Sequence, residues 1–572
     1  MQKILRVLII IAMLITAYLL VLAWQKDYAN VPATSADAVT PSVSTSTTGA
    51  DIPTSTGTGT SDIPAATASA TTDVPSSEVG GENTNAKQGA LINVTTDRYQ
   101  IKIDPVGGDV VYAALRNYNA TLDSKNPFVL LENSGQRVYV AQSGLIGPNG
   151  IDTPAGRAKY SYQSDNYVMQ PGQKKLEVPL TYKQEDGVTI TKTFTFTEGK
   201  YPISVNYNIN NTSGKAWNGQ LFAQLKRDSS KDPGMADKGA ISMATYLGGA
   251  WGTPDDDYNK LKFKDFNDGD LKAASDKGWV GIVQHYFVSA WTPQNFTGQF
   301  FSREKAGDHF IGMNSEQFMV PAAKQKDITA TLYAGPKDQD SLLEVAPGLN
   351  KTVDYGFLWP ISKVLFAVLE GIHKVIGNWG WSIIALTLLV KLALMWFSNK
   401  SYYSMAKMRA IAPRLQALKE EHGDDRMKMS QEMMAIYKEE QVNPMAGCLP
   451  ILLQMPIFLA LYWVLVESIE LRHAPWILWI QDLSSMDPWF ILPMLMGASM
   501  FVQQMFSPQP TDPMQAKVMR FLPIIFTLFM LFFPAGLVLY WTVNNLFTMA
   551  QQYIVNKKVE REQREKAART AG

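Results

Sequence analysis

The hydrophobic pattern along this chain changes period twice. Between Leu91 and about Leu349 apolar and polar residues alternate: Tyr99–Ile103, Leu176–Tyr182, Thr189–Thr197 and Ile203–Asn210 place β-branched, aromatic or leucine residues at every second position. That period of two predicts strands, with Gly107–Gly108, Asp186–Gly187 and Glu198–Gly199 as turns between them. Many strands with little helical period predict a large all-β sandwich over residues 91–350. From Asp354 to Gly377 the spacing becomes helical. Phe357, Ile361, Leu365, Val368 and Ile372 recur, with Lys363, Glu370, His373 and Lys374 interspersed. This predicts an amphipathic helix over 354–377 lying on the membrane surface, with packing against the sandwich as the plainer alternative.

After that helix the pattern becomes apolar for long runs. Trp379–Ser398 holds enough consecutive apolar residues to cross a bilayer, which takes about 20. Asn399–Asn443 is charged throughout and carries two stripes, Met405, Met408, Ile411, Leu415 and Leu418, then Met429, Met433 and Ile436, on either side of Gly423–Asp425. It reads as a helical hairpin whose stripes form its own seam, and its many basic residues place it in the cytoplasm. Cys448–Val466 and Trp489–Met505 are the next two spans, separated by an acidic, aromatic outer loop, and Ser507–Asp512 is a Pro-rich turn. Phe521–Ile554 is too long for one span and is split by Pro534–Gly536 into Met514–Phe533 and Leu537–Ile554. Lys557, Lys558, Arg561, Arg564, Lys566 and Arg569 hold the tail, residues 555–572, in the cytoplasm.

The front of the chain completes the count. In Met1–Trp24, Lys3 and Arg6 precede an apolar run, Val7–Leu22. A cleaved signal peptide and an uncleaved anchor both fit, and the length of the run favours the anchor. Residues 25–90 are rich in Ser, Thr, Ala, Pro and Gly and hold too little apolar surface to offset the entropy of ordering, so they read as a flexible tether. Six spans result, with both termini inside and the sandwich outside. The full chain of 572 residues has 52 basic and 52 acidic residues, so no basic field points to DNA. Its single cysteine, Cys448, excludes an intrachain disulfide, and the five histidines have no metal-ligand spacing. His285 reads as a core or edge histidine, and the Asn-x-Ser/Thr triplets at Asn119, Asn210 and Asn211 as ordinary loop residues.

Candidate chemistry lies at membrane depth, where Thr387, Lys391, Gln454, Gln503, Tyr540, Trp541, Asn544 and Asn545 fall. Any one of the amides or hydroxyls could be a helix–helix hydrogen bond. Lys391 differs. A lysine at the centre of a span costs roughly 2.5–3.5 kcal/mol, and no acidic residue lies in another proposed span to pair with it. The residues therefore predict a polar cavity that holds water and admits an anionic visitor, with Thr387 one turn from Lys391 on the same face. No phosphate loop, H-E-x-x-H or G-x-S-x-G occurs, so neither a nucleotide nor another cofactor is implied. Two alternatives stay open. A small-solute transporter would also place charge at mid-membrane, although no internal repeat is visible. A Ser–Lys protease would use Lys391 as base with Ser382 or Ser398.

Several longer strings go further. Asn378–Ile384, Ser404–Arg409, Ser430–Met434, Asn443–Cys448, Leu453–Phe458, Thr511–Gln515, Phe533–Tyr540 and Val353–Gly356 closely resemble the YidC/Oxa/Albino family of membrane protein insertases, over essentially the whole chain. The order of parts is that of its Gram-negative form. The resemblance implies a non-catalytic insertase and chaperone of the inner membrane, with a five-helix core over 378–554 and a periplasmic β-supersandwich similar to sugar mutarotases. It implies that nascent membrane proteins enter a hydrophilic groove and leave along the third and fifth spans. It also implies work alone or beside the SecYEG translocon, a link to SecDF, and ribosome contact through the hairpin and tail. In that family the groove charge is commonly arginine, so Lys391 is a departure, and Trp541 stands where tyrosine is common.

Overall fold

The computed structural model describes residues 62–64, 90–235, 245–267, 271–421, 426–440, 442, 449–506 and 513–571. The anchor over 1–24, most of the tether, the hairpin break at Gly423–Asp425, its end at Asn443–Cys448 and the turn at Ser507–Asp512 lie outside the described residues.

Alternation along the front half becomes two large sheets. Among the described residues one has eleven strands and the other nine. The strand Val188–Thr197 shows why: Val188, Ile190, Lys192, Phe194 and Phe196 point inward, and the threonines between them face out. It pairs antiparallel with Lys175–Lys183 on one side and Pro202–Asn211 on the other, and the latter pairs in turn with Lys324–Pro336. Trp217, Trp279 and Trp291 are among the largest side chains closed off in the core. Gly107 and Gly187 adopt positive φ, 81° and 95°, where a side chain would be strained. Asn119 ends strand Asp109–Asn119, and Asn210 and Asn211 end strand Pro202–Asn211, so none of the three sits in a loop; Asn211 is buried and donates to the main-chain oxygens of Lys215 and Val320.

The back half is helical: α1 Gln339–Val345, α2 Trp359–Ile376, α3 Trp379–Ala393, α4 Met395–Ala410, α5 Ala412–Glu421, α6 Arg426–Glu439, α7 Leu449–Glu467, α8 Ile491–Met505, α9 Pro513–Met530 and α10 Ala535–Ala571. The amphipathic helix is α2, and it buries Ser362, Leu365, Phe366 and Leu369. Its buried stripe is turned from the one the spacing suggested: Phe357 and Ile361 stay exposed, while the Ser362 hydroxyl donates to Ala460 O of α7 at 3.1 Å. Gly377 closes α2 at φ 73°, and the Asn378 side chain caps α3 by accepting from the Trp381 N–H at 3.1 Å.

Two corrections follow. Trp379–Ser398 is not one helix: it breaks at Leu394, and α3 and α4 meet at 68°. Together they are long and apolar enough to cross a membrane, whereas no single helix among the described residues is. α10 runs unbroken from Ala535 through the basic tail to Ala571. The hairpin stripes meet as a seam of Ile411, Leu415, Leu418 and Ile436 with Met408 and Met433, but Met405 turns to Tyr402, Val555 and Val559.

The sheets rest on the helices through a polar joint. Lys337 at the end of strand Lys324–Pro336 pairs with Glu467, the last residue of α7, at 2.8 Å, and both side chains are buried. His285 Nε2 lies 2.8 Å from Val466 O, and its ring stacks on Tyr286 at 3.8 Å. The Arg472 guanidinium donates to Ala120 O at 3.0 Å and faces the rings of Phe128, Tyr286 and Phe287. His285 is thus a satisfied buried histidine, as its apolar neighbours suggest.

Candidate functional site

α3 brings Lys391 inward, against α7 and α10. Its ammonium donates to Gln454 Oε1 at 3.2 Å and to Thr548 Oγ1 at 2.9 Å, and its side chain is about 5 % exposed. No carboxylate among the described residues is within ion-pair distance of it. Gln454 in turn donates to Tyr540 Oη at 3.2 Å and to Asn544 Oδ1. The Thr548 hydroxyl donates one turn back to Asn544 O at 2.8 Å, so its free lone pairs face the ammonium. Among the described residues, only neutral oxygens solvate this cation. Such a site lowers the cost of a buried charge without neutralising it.

Beside this cluster lies a small pocket lined by Thr387, Lys391, Ser398, Gln454, Tyr540 and Asn544, with Val390, Leu394, Pro450 and Leu453 as its apolar wall. Five of the eight candidate residues at membrane depth therefore meet. Thr387 shows its apolar part, since its hydroxyl donates within α3 to Ile383 O at 2.7 Å. Trp541 is not in the pocket. It packs between Phe458 and Phe526, and its indole N–H has no partner among the described residues. Gln503 is also elsewhere, half-buried near the end of α8. Position on the helix explains the first: Trp541 is one residue from Tyr540 and points about 100° away around α10.

Thr548 is the residue that sequence reasoning passed over; Ser398, raised there only as a protease nucleophile, lines the pocket. The signal was present, because Tyr540, Asn544 and Thr548 are spaced four apart and share one face. Asn545, one residue on, donates to Ser499 of α8 at 3.0 Å and ties two helices together. The serines offered for a Ser–Lys protease are both committed to their own helices: Ser382 donates to Asn378 O and Ser398 to Leu394 O. Among the described residues no group of His, Cys, Asp and Glu could hold a metal ion.

Comparison with known proteins identifies the family of the chain. The family description "YidC periplasmic domain" matches residues 91–368, and "60Kd inner membrane protein" matches residues 371–563. A membrane protein insertase YidC from Stutzerimonas stutzeri is 48% identical over 568 residues, 97% of this chain and 98% of that one. Its counterpart from Pseudomonas aeruginosa is 47% identical over 590 residues, 97% of this chain and 98% of that one. The chain belongs to the YidC family of membrane protein insertases. A solved structure described as an active YidC insertase with its first transmembrane domain resolved is also similar, at TM-score 0.37 and 18% identity, covering 82% of this chain and 93% of that one. Membership makes the chain an inner-membrane insertase, a class that handles nascent membrane proteins and is not enzymatic.

Proposed function

We propose that the Lys391 pocket is the receiving end of a hydrophilic groove, and that the ammonium draws the polar or acidic extracellular segment of a nascent membrane protein into the bilayer. The observation that carries this reading is a buried cation solvated by Gln454 and Thr548 and by no carboxylate among the described residues. An incoming carboxylate is the counter-ion that such a site lacks. The exit is lateral. α7 exposes Leu452 and Met455, and α9 exposes Val518, Ile524, Ile525 and Leu528, an apolar lane along which a substrate helix can pass into lipid. Burial of that helix supplies the free energy, about 25 cal/mol per Å² of apolar surface, so the step requires no nucleotide from this chain.

The same reading assigns six spans with both termini in the cytoplasm and the sheets in the periplasm. Ribosomes meet the hairpin α5–α6 and the basic end of α10, and SecYEG and SecDF are partners on the membrane and periplasmic sides. Thr387, Lys391, Gln454, Tyr540 and Asn544 form the substrate groove; Trp541 and Gln503 support the helices around it.

Insertion of a single-span substrate with an acidic N-terminal tail into vesicles carrying each variant tests the reading. Lys391→Ala is expected to impair insertion, and Lys391→Arg to retain it. Equal insertion by Lys391→Ala and the unaltered protein would remove the role of the cation. Crosslinks from a stalled nascent chain to α7 and α9 test the lateral path, and crosslinks to α8 alone would contradict it.

A further inference from the structure

Within the low-complexity stretch that precedes the β domain, Asp62–Ile63–Pro64 is seated on the eleven-stranded sheet. The Asp62 main-chain oxygen accepts from Gln224 Nε2 at 2.7 Å and from the Arg303 guanidinium. Its carboxylate pairs with Lys226 at 2.8 Å, and Pro64 is buried. The receiving residues stand in register on three adjacent strands, Trp217–Arg227, Asp308–Asn314 and Gly298–Lys305. Phe310 is the cross-strand partner of both Lys226 and Arg303, and both cations face its ring, at 5.6 and 4.5 Å. Gln224 is fully buried and held from behind: its Nε2 also donates to Gln142 Oε1, and its main-chain oxygen accepts from Trp291 Nε1. Opposite it stands Gly312, where a Cβ would come within 2.6 Å of Gln224 Cβ, so only glycine leaves that amide its place.

The sequence makes this contact more than a chance touch. Asp-Ile-Pro occurs at Asp51–Pro53 and again at Asp62–Pro64, and Asp-Val-Pro occurs at Asp73–Pro75, each 11 residues from the last and nowhere else in the chain. Each copy repeats the features the site uses. The aspartate supplies a carboxylate for Lys226 and a carbonyl for Gln224 and Arg303. The proline holds the residue before it extended and so lowers the entropy lost on docking. We propose that the β domain carries a docking site for Asp-Ile/Val-Pro segments, and that the linker is pinned to it by one of three interchangeable copies. Exchanging one copy for the next shifts 11 residues, about 36–40 Å of extended chain, from one side of the seat to the other. The site therefore sets, in discrete steps, how much linker lies between the β domain and the apolar segment Val7–Leu22. A weak contact suffices, since tethering gives an effective concentration of order mM.

Hydrogen exchange on the full-length protein in lipid nanodiscs tests this, read on peptides covering each of the three copies. In the unaltered protein the amides around Ile63 are expected to exchange at least about tenfold more slowly than a free chain. Lys226→Glu is expected to abolish that protection while strand Trp217–Arg227 stays protected, which shows that the domain is still folded. Asp62→Ala is expected to move protection to the copy at Ile52 or at Val74. Free-chain exchange around Ile63 in the unaltered protein, or protection unchanged in Lys226→Glu, would overturn the site. Loss of protection from all three copies in Asp62→Ala would overturn their interchange.

Discussion

The joint between Lys337 and Glu467 yields a prediction with a computable size. The two charges meet at 2.8 Å, their side chains are 2% and 4% exposed, and Lys337 also donates to Thr352 O at 3.1 Å. Removing one member leaves the other buried without its counter-charge, which costs roughly 3–5 kcal/mol. Replacing both with apolar residues of similar volume removes the desolvation penalty with the attraction, and is often near neutral. Glu467→Gln should therefore lower the thermal unfolding midpoint by about 3–4 °C if the chain unfolds as one unit, read from tryptophan fluorescence of the purified protein in detergent. Lys337→Met combined with Glu467→Leu should recover most of that loss. The half-exposed pair Lys200–Glu344 is the control: Lys200→Ala should cost only about 0–1 kcal/mol. Because Glu467 ends α7, the helix that carries Gln454, the single variant should also slow insertion, and the double variant should restore it. A Glu467→Gln midpoint equal to that of the unaltered protein would refute the reasoning, as would a double variant whose loss equals the sum of the two singles.

Three further outcomes are expected. Thr548→Val keeps the shape of the side chain and removes an acceptor 2.9 Å from the Lys391 ammonium, so insertion of acidic-tailed substrates should fall while that of substrates with uncharged tails changes little. Gly497→Val should destabilise the contact of α8 with α9, because a Cβ there would lie 2.1 Å from Thr527 Oγ1 and 3.0 Å from its Cγ2; faster proteolysis in detergent reads it out. Burial, with the carboxylates of Asp338, Glu370 and Asp340 nearby, pushes the Glu470 carboxyl up from 4.5 to about 7 against a hydrogen bond to its own main chain. Between those values the folded protein holds a proton that the unfolded chain has released, so this group's contribution to stability declines as pH rises from 4.5 to 7 and is level above; unfolding midpoints measured across that range should show Glu470→Gln without this decline.

Much of the fold was legible because local period reports burial. Strands Tyr99–Asp104 and Val188–Thr197 follow from alternation alone, and the break at Pro534–Gly536 follows from turn chemistry. The kink at Leu394 was not legible: Trp379–Ser398 contains no proline, and its only glycine, Gly380, is at the other end, packed under Trp476. Asn211 was misplaced for a related reason, since a polar residue at the end of a long strand is tolerated wherever partners from elsewhere satisfy it.

By itself the sequence determined that a sandwich precedes an apolar helical half, that the family is one of insertases, and that Lys391 has no carboxylate in the neighbouring spans. These follow from composition and period, which are properties of position along the chain. Only the tertiary structure decided which polar groups meet that lysine, that Trp541 and Gln503 turn elsewhere, that Lys337 and Glu467 join the sheets to α7, and that Asp62 has a seat. Each of these is a contact between distant segments. Helical phase, strand register and packing set such contacts together, and no one segment carries that information alone.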